Sequence, residues 1–303
     1  MLSLLSPSSP AGKWLGFVTA IWVQAICGNN YTFSNYSDAL KSLMALTQLE
    51  LNNLSVAKDV GKAFGLISGL ASDRWSTSAL LIIGSLEGLI GYGVQWLLSA
   101  SEFVLYRTGS TTWMNTAVLV TCMRNFPKNR GPVSGILKGY VGLSTAIFTD
   151  ICTALFSSNP STFLLILAIV PAIVCLTAIL FLRETTPAAD PAERKQETRF
   201  FNVFNVIAIV VAVYLLAFDI TGNHGHILSL AFAVGLVLLL ATPLLVPLYS
   251  ALFRVKSNSD IEQVKEPLLV GRKDSPAKQE PAEIMNVGIK QRPLIGRITQ
   301  FLK

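Results

Sequence analysis

Charged side chains set inside long apolar runs are the first residues here that can do chemistry. Glu87 stands near the middle of one such run, Lys138 about two turns into another, and Asp59 and Lys62 toward one end of a third. An ionised group in hydrocarbon is costly unless paired or wet, so each is a functional candidate by default. A cavity-facing Lys138 can attract an anionic substrate, and Glu87 can take up and release a proton as its surroundings change. The competing reading for both is pairing across helices that holds a bundle together. His224 and His226, one residue apart and near Asp219, can bind a metal weakly or sense pH. Lacking a third strong ligand, they read better as a solvated turn, and no metal site is expected. There is no Ser/His/Asp or Cys/His arrangement, no phosphate-cradling loop and no carboxylate pair at hydrolase spacing. Catalytic residues, an enzyme activity and a cofactor are therefore not expected.

These residues need elements to hold them, and the composition says which. Of 303 residues 51% are hydrophobic and 14% charged, with a mean hydropathy of +0.53, more apolar surface than a water-soluble core of this size needs. Crossing about 30 Å of hydrocarbon takes about 20 helical residues. Apolar windows near that length run from Trp14 to Tyr36, Leu54 to Ser72, Thr77 to Leu98, Thr108 to Met123, Gly131 to Phe156, Thr162 to Leu182, Phe201 to Ile220 and Ile227 to Tyr249. The fold expected is an all-α polytopic membrane protein of about eight transmembrane helices. The fourth window is the weakest, being short and preceded by a polar stretch with Glu102 and Arg107.

Lys and Arg set the orientation. Lys13, Arg74, Arg124 with Lys128 and Arg130, Arg183 with Arg194, Lys195 and Arg199, and the tail from Arg254 all fall on one set of connections. The other set holds little beyond Lys41 and Arg107. By the positive-inside rule both termini are expected in the cytoplasm, which agrees with an even number of spans. The net charge of +6 is accounted for by this topology, and no nucleic-acid partner is expected. Cys27, Cys122, Cys152 and Cys175 lie in apolar stretches without metal or disulfide spacing and read as small packing residues. Gly61, Gly65 and Gly69, and then Gly131, Gly135, Gly139 and Gly142, strip one helix face of side chains so that another helix can approach. Homo- or hetero-oligomers through these faces are a further partner considered beside the lipid bilayer. The tail from Lys256 to Lys303 has a disordered composition, and its Glu266-Pro267-Leu268-Leu269 resembles a dileucine sorting signal.

Several segments together point to a family. Thr111-Thr112-Trp113-Met114-Asn115-Thr116-Ala117 through Arg124-Asn125-Phe126, then Arg130-Gly131-Pro132-Val133-Ser134-Gly135 through Gly139-Tyr140-Val141-Gly142, resemble the plant Nodulin-like family of the major facilitator superfamily. Gly28-Asn29-Asn30-Tyr31-Thr32-Phe33, Lys58-Asp59-Val60-Gly61-Lys62 and Gly91-Tyr92-Gly93-Val94-Gln95-Trp96 support the likeness, which covers about residues 13 to 250.

The resemblance implies a transporter in which six-helix halves rock about a central site. It implies an N-terminal six-helix bundle over 1–183, a cytoplasmic linker over 184–200, two further transmembrane helices over 201–250 and a disordered cytoplasmic tail over 251–303. A full transporter of this kind has about twelve helices, so the expectation is a transporter or truncated transporter of a small solute; the alternative is a non-transporting membrane scaffold or regulatory subunit. The first and fourth helices line the cavity in related transporters. Asn29, Tyr31, Trp113 and Asn115, with Gln24 and Asn30, are thereby candidates for solute contacts, and Lys138 joins them by its charge. Gly69-x-x-x-Asp73-Arg74 resembles the start of the superfamily's loop signature, making Asp73 and Arg74, with Glu87, candidates for gating or ion coupling. The membrane implied is the plasma membrane or a vacuolar or endomembrane.

Overall fold

The computed structural model describes residues 9–28, 41, 47–63, 65–98, 104–156, 160–186, 191–222 and 225–252. All of them lie in the unit that ends at Val255, and none of Lys256–Lys303 is among the described residues. Asn29, Tyr31, His224 and the Glu266 to Leu269 motif lie outside them too, as do the side chains of Asp59, Lys62 and His226. The described residues contain helices and no strand.

Helix α1 spans Pro10–Cys27, α2 Gln48–Ala63, α3 Gly65–Ser72, α4 Thr77–Leu98 and α5 Val104–Asn125. Helix α6 spans Arg130–Phe156, α7 Pro160–Phe181, α8 Pro191–Thr221 and α9 His226–Ala241. A 3₁₀ turn over Thr242–Leu244 leads back into helix over residues 245–252. Where its residues are described, each apolar window of the sequence falls on helix, the first as far as Cys27. The second is divided between α2 and α3, and α2 starts well before the expected Leu54. The cause is local: Thr47-x-x-Glu50 is a capping box. The Thr47 hydroxyl accepts from the Glu50 N–H at 3.3 Å, and a Glu50 carboxylate oxygen accepts from the Thr47 N–H at 2.7 Å and from its hydroxyl at 2.8 Å. These bonds hold the exposed Glu50 carboxyl below its ordinary range, the backbone N–H acting most strongly. Ser9 caps α1 by accepting from the Gly12 N–H at 3.0 Å, with Pro10 in the first turn, where its missing N–H costs nothing.

Helix α1 is the axle. It packs on α5, α6 and α7, and Phe17, Val18, Ala20, Ile21 and Val23 are all within 1% of complete burial. Two glycines permit that closeness. A Cβ on Gly28 would overlap the Ser144 hydroxyl and the Val141 carbonyl of α6, and one on Gly16 would come within 2.9 Å of the Phe181 carbonyl ending α7. Helix α4 packs between α5 and α7, while α2 and α3 flank α5.

The outer helices show the opposite pattern. Glu193–Thr221 and Ile227–Leu252 are long and apolar enough to cross a membrane. Unlike the core helices of a soluble protein they are mostly uncovered: Val206, Ile209 and Leu216 on α8 and Leu238 on α9 are 58–66% exposed. Exposed apolar surface continues over Leu66 and Leu70 of α3, Leu86 and Ile90 of α4 and Ile173 and Leu180 of α7. Exposed apolar surface on this scale is out of place in water, and lipid is the solvent that fits it. The chain is an integral membrane protein.

Helix α5, the weakest window, is compensated by hydrogen bonds to its neighbours. Thr116 shares a proton with Ser68 of α3 at 2.8 Å, Thr121 with Thr77 of α4 at 2.7 Å, and Asn115 accepts from Gln24 of α1 at 3.0 Å. Between membrane helices such contacts contribute about 0.6 kcal/mol each, at most about 1.7. Polar residues that lower the hydropathy of α5 are the ones that fix its place.

Candidate functional site

Gln24 and Asn115, two of the sequence-selected polar residues, are brought together at the centre of the bundle. Gln24 is 0% exposed; its Nε2 donates to Asn115 Oδ1, and its Oε1 is buried with no partner among the described residues. Tyr140 of α6 is likewise 0% exposed, and its hydroxyl has no partner among the described residues. Counted from Lys13, Arg124 and Arg130 at the start or finish of their helices, Gln24, Asn115 and Tyr140 each lie about 15 Å along. That is half the thickness of a hydrocarbon layer. Unmet polar atoms at that depth are costly.

The other predicted residues go elsewhere. Trp113 is buried and stacks on Trp75, with ring centroids 6.2 Å apart and planes 11° from parallel. Lys138 is on the exposed face of α6 together with Gly131, Gly135, Gly139 and Gly142. The expected close approach of helices to the glycine faces holds at Gly65, where a Cβ would meet Thr112 at 2.9 Å. It does not hold at Gly69 or along α6, where no atom of the described residues lies within 4 Å of the added carbon. Glu87 is half-buried, and its Oε2 has no partner among the described residues.

A second feature was missed. Between α6 and α8 a cleft of about 530 Å³ is lined by Asp150 and Asp219, with Gly142, Thr145, Ala146 and Leu215 among its walls. Asp219 drew notice only as a neighbour of the histidines. Asp150 lies inside the apolar window Gly131 to Phe156, so the rule that selected Glu87 and Lys138 would have found it. A separate apolar cavity of about 320 Å³ is lined by Trp22, Phe148, Cys152 and Val237, among others.

The charged end of the bundle is held by two polar clusters. Arg124, ending α5, donates to Asp73 at 3.1 Å, to the Ser72 carbonyl at 3.2 Å and to Glu184 at 2.6 Å. Asp73 thus pairs with an arginine, and it is Arg124 that it meets; Arg74 is exposed. Asn125 brackets the exit of α7, donating to the Arg183 carbonyl at 2.9 Å and accepting from the Thr185 N–H at 2.8 Å. The second cluster is buried. Lys13 of α1 donates to Glu197 of α8 at 2.7 Å, and Asn129 donates to the other carboxylate oxygen at 3.1 Å. The Lys13 ammonium also lies 4.4 Å from the centre of the Phe126 ring. Trp14, Phe17, Phe126, Phe201 and Phe204 seal this end with ring centroids 5.0–6.3 Å apart. Glu197 carried no signal in the sequence, since nothing local tells a surface glutamate from one met by a lysine 184 residues away.

All four cysteines are free and buried, in keeping with packing roles. No group of three or more metal-ligating side chains occurs among the described residues.

Comparison with known proteins agrees with this architecture. The Nodulin-like family model matches residues 13–248. Protein NUCLEAR FUSION DEFECTIVE 4 of Arabidopsis thaliana is 34% identical over 249 residues, 77% of this chain and 42% of that protein. An uncharacterized membrane protein of Saccharomyces cerevisiae is 28% identical over 160 residues, 49% of this chain and 29% of that protein. The chain spans less than half the length of the curated relatives it matches. No solved structure matches it. From its central polar pair to its lipid-facing outer helices, the chain is a member of the Nodulin-like family of membrane proteins.

Proposed function

We propose that this chain is a membrane transporter of a small solute, or part of one, with eight spans, both termini in the cytoplasm and a mechanism of alternating access. The single observation that carries the reading is Gln24: a fully buried amide, joined to Asn115 across α1 and α5 at mid-depth, its oxygen without a partner among the described residues. Such an atom supplies recognition without being consumed by packing, and a solute hydroxyl or amine fits it. In this reading residues 1–183 form the six-helix half, 184–200 the linker and 201–250 two helices of a second half. Asn29, Tyr31 and Lys138 are further candidates for solute contact, and Glu87 and Asp73 with Arg74 for coupling and gating. The membrane proposed is the plasma membrane or an endomembrane.

The test is flux. Purified full chain in proteoliposomes is expected to take up one class from a panel of organic acids, amino acids and sugars. Gln24→Leu should lower the rate about tenfold, the equivalent of one unmet polar contact. Flux equal to protein-free vesicles for every class rejects the reading.

A second reading, a non-transporting scaffold or regulator, is favoured by the uncovered α6 glycine face. It predicts a stable dimer or a complex with a longer relative that Gly135→Leu disrupts, with no flux in any vesicle.

A further inference from the structure

Helix α8 is fastened at one end and parted from α6 at the other. At the charged end, Lys13 and Glu197 have side-chain exposures of 8% and 7% and a contact of 2.7 Å. Asn129, between α5 and α6, serves both sides of the joint: it donates to Glu197 at 3.1 Å and accepts from the Thr198 hydroxyl at 3.5 Å. One lysine, one glutamate and one asparagine thus tie the start of α1 and the α5–α6 connection to the start of α8. Asp150 and Asp219 lie about 30 Å further along α6 and α8, and there the two helices stand apart around the 530 Å³ cleft.

Stability alone does not explain such a pair. Taking both charges out of water roughly cancels their attraction, and well-packed apolar residues do as well or better. What the pair supplies is a choice between two arrangements. Paired and dry, the charges satisfy one another; separated and hydrated, each is satisfied by water. The intermediate, separated but dry, is strongly disfavoured. A joint with that profile is either closed or open, and α8, a continuous helix of 31 residues, carries its tilt to the far end.

We propose that Lys13–Glu197, braced by Asn129, is a two-state latch. Engaged, it closes the charged end while the α6–α8 cleft is open at the far end; hydrated rupture accompanies the reverse arrangement. The inference rests on the alternating-access reading, and places the latch on the cytoplasmic side by the same charge bias.

Thiol labelling tests it without a solute. The full chain in lipid nanodiscs carries native Cys122, 0% exposed and one turn from Phe126 at the sealed end. Ala146→Cys places a second reporter in the cleft. An impermeant maleimide is applied and modification is read at each site by mass spectrometry. Lys13→Met and Glu197→Gln are expected to raise Cys122 labelling about tenfold and lower labelling at position 146 by a similar factor. Asn129→Ala, which keeps the ion pair, should shift both in the same directions by less, and the swap Lys13→Glu with Glu197→Lys should return both toward the parent. Both reporters rising together would show a merely structural tie and overturn the latch. So would both staying unchanged in Asn129→Ala and Lys13→Met protein that elutes as the parent does. Reciprocal labelling without flux in vesicles keeps the latch and removes the transporter reading; flux without reciprocal labelling does the reverse.

Discussion

Helices α1 and α8 are both long apolar segments, yet they are held by different means. Helix α1 is buried almost all round, its position set by backbone closeness at Gly16 and Gly28 and by a central amide pair. Helix α8 presents Val206, Ile209, Val213 and Leu216 outward. It is fixed at its start by one buried ion pair and an aromatic seal, and near its finish by a stack of Tyr214 and Phe218 on Phe232 of α9, with centroids 4.5 Å and 3.7 Å apart. Length with composition picks out α8, and not the shorter apolar α1, as able to cross a membrane. The difference teaches that, in lipid, apolarity says what a helix can dissolve in and not where it belongs. Place is set by small residues and by the few polar groups that find each other.

The sharpest way to break this contrast is at the α8 anchor. Glu197→Ala leaves Lys13 buried without its partner and should destabilise the bundle by about 3–5 kcal/mol, measured as a lowered midpoint in detergent unfolding. Within α1 the matching break is Gly28→Ala. Its methyl would enter the space of Ser144 and the Val141 carbonyl, and a loss of about 1–3 kcal/mol is expected; Ser144→Gly in the same chain should recover part of it. A smaller effect separates packing from polar placement: Trp22 donates to the Leu240 carbonyl at 2.9 Å, and Trp22→Phe should cost about 0.6 kcal/mol, at most about 1.7. The smallest lies outside the contrast, at the start of α2. Thr47→Ala removes the capping box and should speed amide exchange over residues 48–51. Because the Glu50 carboxyl is held below its ordinary range in the folded state, its contribution is present above the ordinary carboxylate pKa and lost as pH falls through its own lowered value. The exchange difference between parent and variant should therefore shrink in acid.

The fold was legible wherever one physical requirement acts along the chain. Apolar length marked most of the described helices, and Thr77 to Leu98 coincides with α4 at both ends. The start of α2 was missed although Thr47-x-x-Glu50 announces it, because the search weighed hydropathy and the first turn is polar. Within the site, residue type and resemblance singled out Gln24, Asn115 and Asp73 one by one, while their partners, Asn115 for Gln24 and Arg124 for Asp73, are set by how the helices pack. Lys138 lies on the exposed face of α6: its charge was visible in sequence, and the direction of its face was not. Asp150 was within reach of a rule already in use. Lys13 with Glu197 was beyond any local rule, since burial of both depends on α1 and α8 meeting at their charged ends.

The contrast between the two helices reduces to what surrounds each, and a lipid-soluble carbene label reads that directly. Photolysis of the full chain in bilayers, followed by residue-level mass spectrometry, should place adducts on Val206, Ile209 and Leu216 of α8 and leave Val18, Ile21 and Val23 of α1 unmarked. Equal labelling of the two helices, or labelling of α1 alone, would contradict the account.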